Sequence, residues 1–349
     1  MLLLRSTSGL NWECTIATIT YTEPFSSSGL KGFFLFSHDL NPMTIHTQIV
    51  SKIPVQLPQV GNTPLLLIKS LSTDKVRIWA KAEWQQPGGS VKARAAHAII
   101  SKAIRSGKLH KHNTLLDASS GNTAIAYATL LRHIGWKPTI CLPSNASAER
   151  KNILRALGAE LILTSPLEGT DGAQEVARAL YIAHPNQYYY ADQYSNEANW
   201  QSHYLTTAEE IWTQTKGNIT HFVAGLGTTG TFVGTGRRLK ELGQVTLVSL
   251  QPDHPFHPLE GWKNMATAHR PKIYDDTIAD KSLIIDSSAV FDMIRSIATR
   301  EGLYISPSGA ANLLGAHEVA AGIKEGDIVT TLADTLDRYT EIKKEIFGT

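Results

Sequence analysis

Cysteine, net charge and long apolar runs are all scarce in this sequence, and each shortage removes a class of function. Cys14 and Cys141 are the two cysteines in 349 residues. They form neither a disulfide framework nor a metal-ligand spacing, which fits a reduced, cytoplasmic protein. Lysine and arginine number 33 against 31 aspartates and glutamates, a net charge of +2. That balance gives no sign of binding nucleic acid or a membrane surface. No apolar run reaches the ~18 residues of a membrane span. What is there is a globular composition, 42% hydrophobic and 18% charged. The length predicts two domains or one large α/β unit.

Residues 1–42 differ from the rest. They carry Arg5 and Lys31 as basic residues, Glu13, Glu23 and Asp39 as acidic ones, and no sustained period. A transit peptide is richer in arginine, and a secretory signal has a charged-then-apolar order. The segment reads as a disordered leader, a weak targeting segment or an upstream extension, and Met43 as a natural start.

From Val55 onward short apolar strands alternate with helical stretches. Strands are predicted at 76–80, 114–117, 138–142, 160–164, 220–224 and 244–250. Helices are predicted at 93–105, 123–134, 148–157 and 231–242, three of them closed by Gly107, Gly135 and Gly158. This alternation implies βαβ units, an α/β class and a largely parallel sheet. No repeat or low-complexity tract interrupts it.

Ligands of such sheets sit where strands lead into helices, and three loops there are unusual. Pro87-Gly88-Gly89-Ser90-Val91-Lys92 allows a tight turn and leaves a lysine at the positive end of a helix, which disfavours its protonated form. Alone it also reads as a surface lysine after a turn. It is no nucleotide P-loop, lacking the Gly-Lys-Ser/Thr ending. Ser119-Ser120-Gly121-Asn122-Thr123 offers clustered N–H and O–H donors at a helix start, either a carboxylate seat or an ordinary capping loop. Gly227-Thr228-Thr229-Gly230-Thr231 makes a phosphate cup, without the spacing or acidic partner of a dinucleotide fingerprint.

In their order and spacing these motifs resemble the fold-type-II pyridoxal-phosphate enzymes, specifically the cysteine synthase (O-acetylserine sulfhydrylase) family. The resemblance runs from Gly61-Asn62-Thr63-Pro64-Leu65 to Asp337-Arg338-Tyr339. It implies two open, twisted, mostly parallel sheets flanked by helices. A larger cofactor domain would comprise residues 43–85 and 197–349, and a smaller mobile substrate domain residues 86–196. The implied cofactor is pyridoxal 5'-phosphate on Lys92, with the 227–231 loop holding its phosphate, Asn122 near its 3' oxygen and Ser306 at its ring nitrogen. Ser119, Ser120, Gly121, Asn122, Thr123 and Gln193 would hold the substrate carboxylate. Lys92, once released, would be the general base. A neutral serine at the ring nitrogen suits loss of a β-leaving group, so the implied reaction is β-replacement on an activated serine through an aminoacrylate.

Some positions depart from the family pattern. Ala93 replaces the usual aspartate, Ser119 a threonine, Ala124 a glycine and Pro307 a serine. Thr229 and the segment Glu260-Gly261-Trp262-Lys263-Asn264-Met265 resemble a second branch, some of which uses O-phosphoserine, thiosulfate or a protein thiocarboxylate. Lys263 there is either a contact for a substrate phosphate or a solvated lysine. His254 and His257 lack further ligands for a metal. The competing expectations are a cystathionine β-synthase-like enzyme, a serine/threonine deaminase, or a degenerate amino-acid-binding homologue. The family also implies a homodimer acting on small molecules.

Overall fold

The computed structural model describes residues 56–119, 121–255 and 257–348. The expected leader, Met43 and Ser120 lie outside the described residues. In chain order the strands are β1 (Leu65–Leu67), β2 (Val76–Ala82), β3 (Thr114–Ala118), β4 (Thr139–Pro143), β5 (Glu160–Thr164), β6 (Tyr188–Tyr190), β7 (Ile219–Gly225), β8 (Thr246–Pro252), β9 (Lys281–Ile285) and β10 (Gly326–Leu332). The helices are α1 (Lys92–Arg105), α2 (Asn122–His133), α3 (Ala148–Ala156), α4 (Gly169–Ala183), α5 (Glu197–Ser202), α6 (Ala208–Gln214), α7 (Gly230–Leu242), α8 (Val290–Glu301), α9 (Pro307–Ala321) and α10 (Thr340–Phe347). A π-helical turn, His203–Thr207, joins α5 to α6.

Two sheets result, a six-stranded one in the order β1-β2-β10-β7-β8-β9 and a four-stranded one in the order β5-β4-β3-β6. Among the described residues every pairing of these strands is parallel except β1 with β2. Parallel strands covered on both faces must be apolar on both, and the central runs Leu115-Leu116 of β3 and Phe222-Val223-Ala224 of β7 are. Phe222 and Ala224 pack with Phe232 and Leu239 on one side of the larger sheet, whereas Val223 packs with Ile294 and Leu313 on the other. Leu115 and Leu116 divide the two faces of the smaller sheet in the same way. Helix α1 buries Ala96, Ile99, Ile100 and Ala103 at helical spacing against this second core. Each buried isoleucine contributes about 1.5–3 kcal/mol relative to exposure. The helix ends on Gly107 at φ 72°, a conformation glycine adopts without steric cost.

The strand order decides where a ligand can bind. In the larger sheet the chain steps from β7 outward to β8 and β9, and then returns to place β10 on the other side of β7. In the smaller sheet it steps from β3 to β4 and β5, then returns with β6 on the other side of β3. Each reversal opens a crevice at the carboxyl ends of two neighbouring strands. The expected α/β class with two parallel sheets is therefore present. The expected 160–164 strand matches, and most other predicted ends move by one or two residues.

Candidate active site

All three loops singled out by sequence open onto a single cavity of about 190 Å³. The 227–231 loop follows β7 and the 119–123 loop follows β3, the strands flanking the two reversals. The lysine loop leads from β2 into α1.

Gly88 and Gly89 hold φ of 79° and 68°, the left-handed region where a side chain is strained. A side chain on Gly89 would also strike the Arg338 guanidinium. Lys92 is the first residue of α1 rather than the residue before it. It lines the cavity, and burial pushes its amine below the ordinary lysine range against the opposing pull of Asp334 and Glu83. Desolvation disfavours the ammonium and so favours the nucleophilic amine form. Ala93, where the family pattern has aspartate, is buried in the first turn. Beyond it lies a charge network invisible to sequence reading. Arg94 donates from Nε to Glu83 at 2.7 Å and from Nη1 to Glu210 at 2.7 Å, and Lys81 Nζ donates to Glu210 at 2.6 Å. Although burial alone would raise the Glu210 carboxyl, Arg94 and Lys81 hold it down at about 2.

Ser119, Gly121, Asn122, Thr123 and Gln193 all line the cavity. Helix α2 begins at Asn122 with no side-chain cap and no acid in its first turn, so its N-terminal N–H groups and dipole are available to an anion. Thr123 Oγ1 donates to Gln193 Oε1 at 2.7 Å, which ties together the loops after β3 and β6. The Asn122 amide is held at both ends. Its Nδ2 donates to Asp334 Oδ2 at 2.7 Å, and its Oδ1 accepts from Arg338 Nη1 at 2.8 Å.

The 227–231 loop contributes Gly227, Thr228, Thr229 and Thr231 to the lining, and Gly230 opens the uncapped helix α7. A side chain at Gly227 would strike the Gly261 carbonyl, and one at Gly230 would strike Asn199. The glycines are therefore required by close approach. Thr229 has φ 72°, rare for a β-branched residue. Its hydroxyl is buried without a partner. An orphaned hydroxyl, converging backbone N–H groups and a helix N-terminus suit a phosphate. With Lys92 on the same cavity, the residues fit pyridoxal phosphate.

Two expected residues sit differently. Ser306 is buried, and its hydroxyl caps α9 by accepting from Gly309 N at 3.3 Å; Ser308, 3.2 Å away between hydroxyl oxygens, is the serine that lines the cavity. The cap and the cavity-lining residue are two positions apart and point differently, which a linear motif does not reveal. Lys263 is not among the lining residues. Its Nζ lies 5.2 Å from the Tyr194 ring centroid and 3.7 Å from Asp171 Oδ1. Glu260, Tyr339 and Asn312 also line the cavity, and the sequence reading gave none of them a site role. Among the described residues no cluster of three or more His, Cys, Asp or Glu could hold a metal, and no helix is long and apolar enough to cross a membrane.

A family model described as pyridoxal-phosphate dependent enzyme matches residues 56–334. Cysteine synthase of Aquifex aeolicus is 41% identical over 292 residues, covering 81% of this chain and 89% of that protein. Cysteine synthase B of Escherichia coli is 36% identical over 291 residues, covering 83% of this chain and 94% of that protein. Among solved structures, O-acetylserine sulfhydrylase isoform 3 of Entamoeba histolytica superposes with a TM-score of 0.77 at 28% identity, covering 85% of this chain and 95% of that one.

Proposed function

This chain belongs to the pyridoxal-phosphate dependent enzymes, and we propose that it is a cysteine synthase that replaces the β-substituent of an activated serine with sulfur. The observation that carries this reading is the convergence of Lys92, the 119–123 loop and the 227–231 cup on one cavity. The curated relatives named as cysteine synthases support the same activity.

The cup formed by Gly227, Thr228, Thr229, Gly230 and Thr231 would hold the cofactor phosphate, Lys92 would hold the cofactor covalently, and Ser308 would meet its ring nitrogen, the role first assigned to Ser306. Asn122 would lie against the ring oxygen. When bound, pyridoxal phosphate supplies an electron sink for the carbon beside the substrate amino group. The substrate carboxylate would rest on the N-terminus of α2, with Ser119, Gly121, Thr123 and Gln193 as donors. That contact would fix how the substrate lies relative to Lys92, which lines the same cavity. Lys92, freed when the substrate amine takes its place, would act as general base for the Cα proton, and its burial favours the neutral amine that this task needs. The acyl or phosphoryl group would leave Cβ as a carboxylate or phosphate, hydrosulfide would bond to Cβ in its place, and Lys92 would return the proton to Cα.

Sheet membership supports a division of the described residues into a larger cofactor domain, 56–85 and 197–348, and a smaller substrate domain, 86–196. Family resemblance supports a homodimer, and the scarcity of cysteine supports a cytoplasmic location. The position of Lys263 against Tyr194 and Asp171 gives no preference for a phosphorylated donor. Cysteine formation from O-acetylserine, O-phosphoserine or serine with sulfide tests the proposal. We expect turnover with at least one of the two esters and little with serine. Turnover of none of them, or ammonia release from serine without sulfur incorporation, would overturn it.

A further inference from the structure

Behind the phosphate cup, the helical path between α5 and α6 widens into the π-helical turn His203–Thr207. Such turns are rare and concentrate at functional sites. His203 is 2% exposed, and its ring stands between two hydroxyls. Nδ1 is 2.8 Å from Thr207 Oγ1, and Nε2 is 3.3 Å from Thr231 Oγ1. Thr231 lines the cavity in the first turn of α7. Gly234, one turn further on, lets α7 close onto this histidine, since a side chain there would meet the Trp200 carbonyl and His203 Cβ. The ring is held in place by packing as well as by hydrogen bonds.

Burial, and then the nearby Arg94 charge, drive the imidazole down to about 3. It is therefore neutral and carries one N–H, so two arrangements are open to it. With the proton on Nδ1, His203 donates to Thr207, and Thr231 spends its hydroxyl hydrogen on Nε2. With the proton on Nε2, Thr207 donates to Nδ1 and His203 donates to Thr231, leaving the Thr231 hydrogen free to point into the cup. An anion in the cup favours the second arrangement, because a hydrogen bond to a charged acceptor is about twice as strong as a neutral one.

We propose that His203 is a positioning residue for phosphate recognition, completing a relay from the Thr207 hydroxyl through the imidazole to the Thr231 hydroxyl and on to the anion. Thr207 is buried and absent from the cavity lining, so it acts on the ligand only through the histidine. The inference rests on the reading of residues 227–231 as a phosphate cup.

The experiment compares binding of pyridoxal phosphate and of pyridoxal, which lacks the phosphate, to cofactor-free full-length protein. Thr231→Val removes the last donor and weakens pyridoxal phosphate about tenfold or more, the equivalent of one hydrogen bond to a charged group. Thr207→Val weakens it several-fold, by about a third to a half of the Thr231→Val effect on the logarithmic scale. Both leave pyridoxal within about twofold, and the double variant binds no worse than Thr231→Val alone. In parallel, His203→Phe loses phosphate discrimination, and His203→Gln, which keeps an N–H donor, recovers part of it. The relay is overturned if Thr207→Val and His203→Phe leave pyridoxal phosphate binding unchanged, or weaken pyridoxal equally. Failure of the unaltered protein to bind pyridoxal phosphate more tightly than pyridoxal instead overturns the cup itself.

Discussion

Asn122 Nδ2 donates to Asp334 Oδ2 at 2.7 Å, joining residues 212 positions apart on either side of the cavity. The same carboxylate oxygen accepts from Tyr339 OH at 2.8 Å, while Arg338 fixes the other end of the Asn122 amide and also donates to the Gly88 carbonyl. The segment after β10 thus orients a residue of the 119–123 loop and braces the turn that precedes Lys92.

This coupling predicts the effect of removing Asp334. Asp334→Ala leaves the Asn122 amide without its acceptor, a cost of about 1–3 kcal/mol where the donor stays buried. Steady-state kinetics should show kcat/KM for the serine ester reduced about tenfold to hundredfold. Asn122→Ala should cost at least as much, and the double variant little more. Additive losses in that cycle would mean that Asp334 acts on something other than Asn122.

The buried charge network makes a prediction about stability. Glu83 and Arg94 are both fully buried, and burial of the carboxyl is outweighed by Arg94, which keeps it charged. Glu83→Gln leaves Arg94 short of one counter-charge and should destabilise the fold by about 3–5 kcal/mol. Denaturant unfolding measures this directly, and a loss under about 1 kcal/mol would show that the network relaxes without cost.

Lys92 gives a stability effect of opposite sign. Its amine is depressed in the folded cofactor-free protein and has the ordinary value of ~10.4 when unfolded. Below the folded value both states are protonated, and the folded state bears the full penalty of a buried charge. Between the two values only the unfolded state binds the proton, so stability rises with pH, and above ~10.4 the penalty is gone. Lys92→Met should therefore be more stable than the cofactor-free parent at neutral pH, with the advantage shrinking as pH climbs toward 10.4. Melting temperatures across that range would count against the account if the advantage grew with pH.

Thr229 stores backbone strain in the cup. A β-branched residue at φ 72° costs about 1–3 kcal/mol, against the ~0.5–1 kcal/mol of extra unfolded-state freedom that glycine brings. Thr229→Gly should stabilise the cofactor-free protein by about 1 kcal/mol and weaken pyridoxal phosphate binding through loss of its free hydroxyl. Thermal melts with and without cofactor would show the two effects in opposite directions; parallel changes would contradict this role for the hydroxyl.

Much of this site was legible in the sequence because its signals are local. Gly88-Gly89, the 119–123 loop and the 227–231 loop each announce themselves through residues adjacent in the chain. Strand alternation then predicted that they lie at strand ends. The helix starts at Lys92, Asn122 and Gly230 were placed one residue late. None of these helices has a side-chain cap, so the usual start signal is missing there. Ser306 and Ser308 could not be separated without the helix that turns one inward and uses the other as its cap. Asp334 and His203 act on residues brought near by strand order alone, and no local pattern marks them; Arg338 lies in a recognised motif that gave no sign of its contact with Asn122.

The central claim is that Lys92 carries the cofactor. Reducing the cofactor-loaded full-length protein with borohydride fixes the lysine–cofactor linkage, and peptide mass mapping then finds the modified residue. The account predicts the phosphopyridoxyl group on Lys92 and on no other lysine. A label on another lysine, or full activity in a Lys92→Ala protein that takes no label, would contradict it.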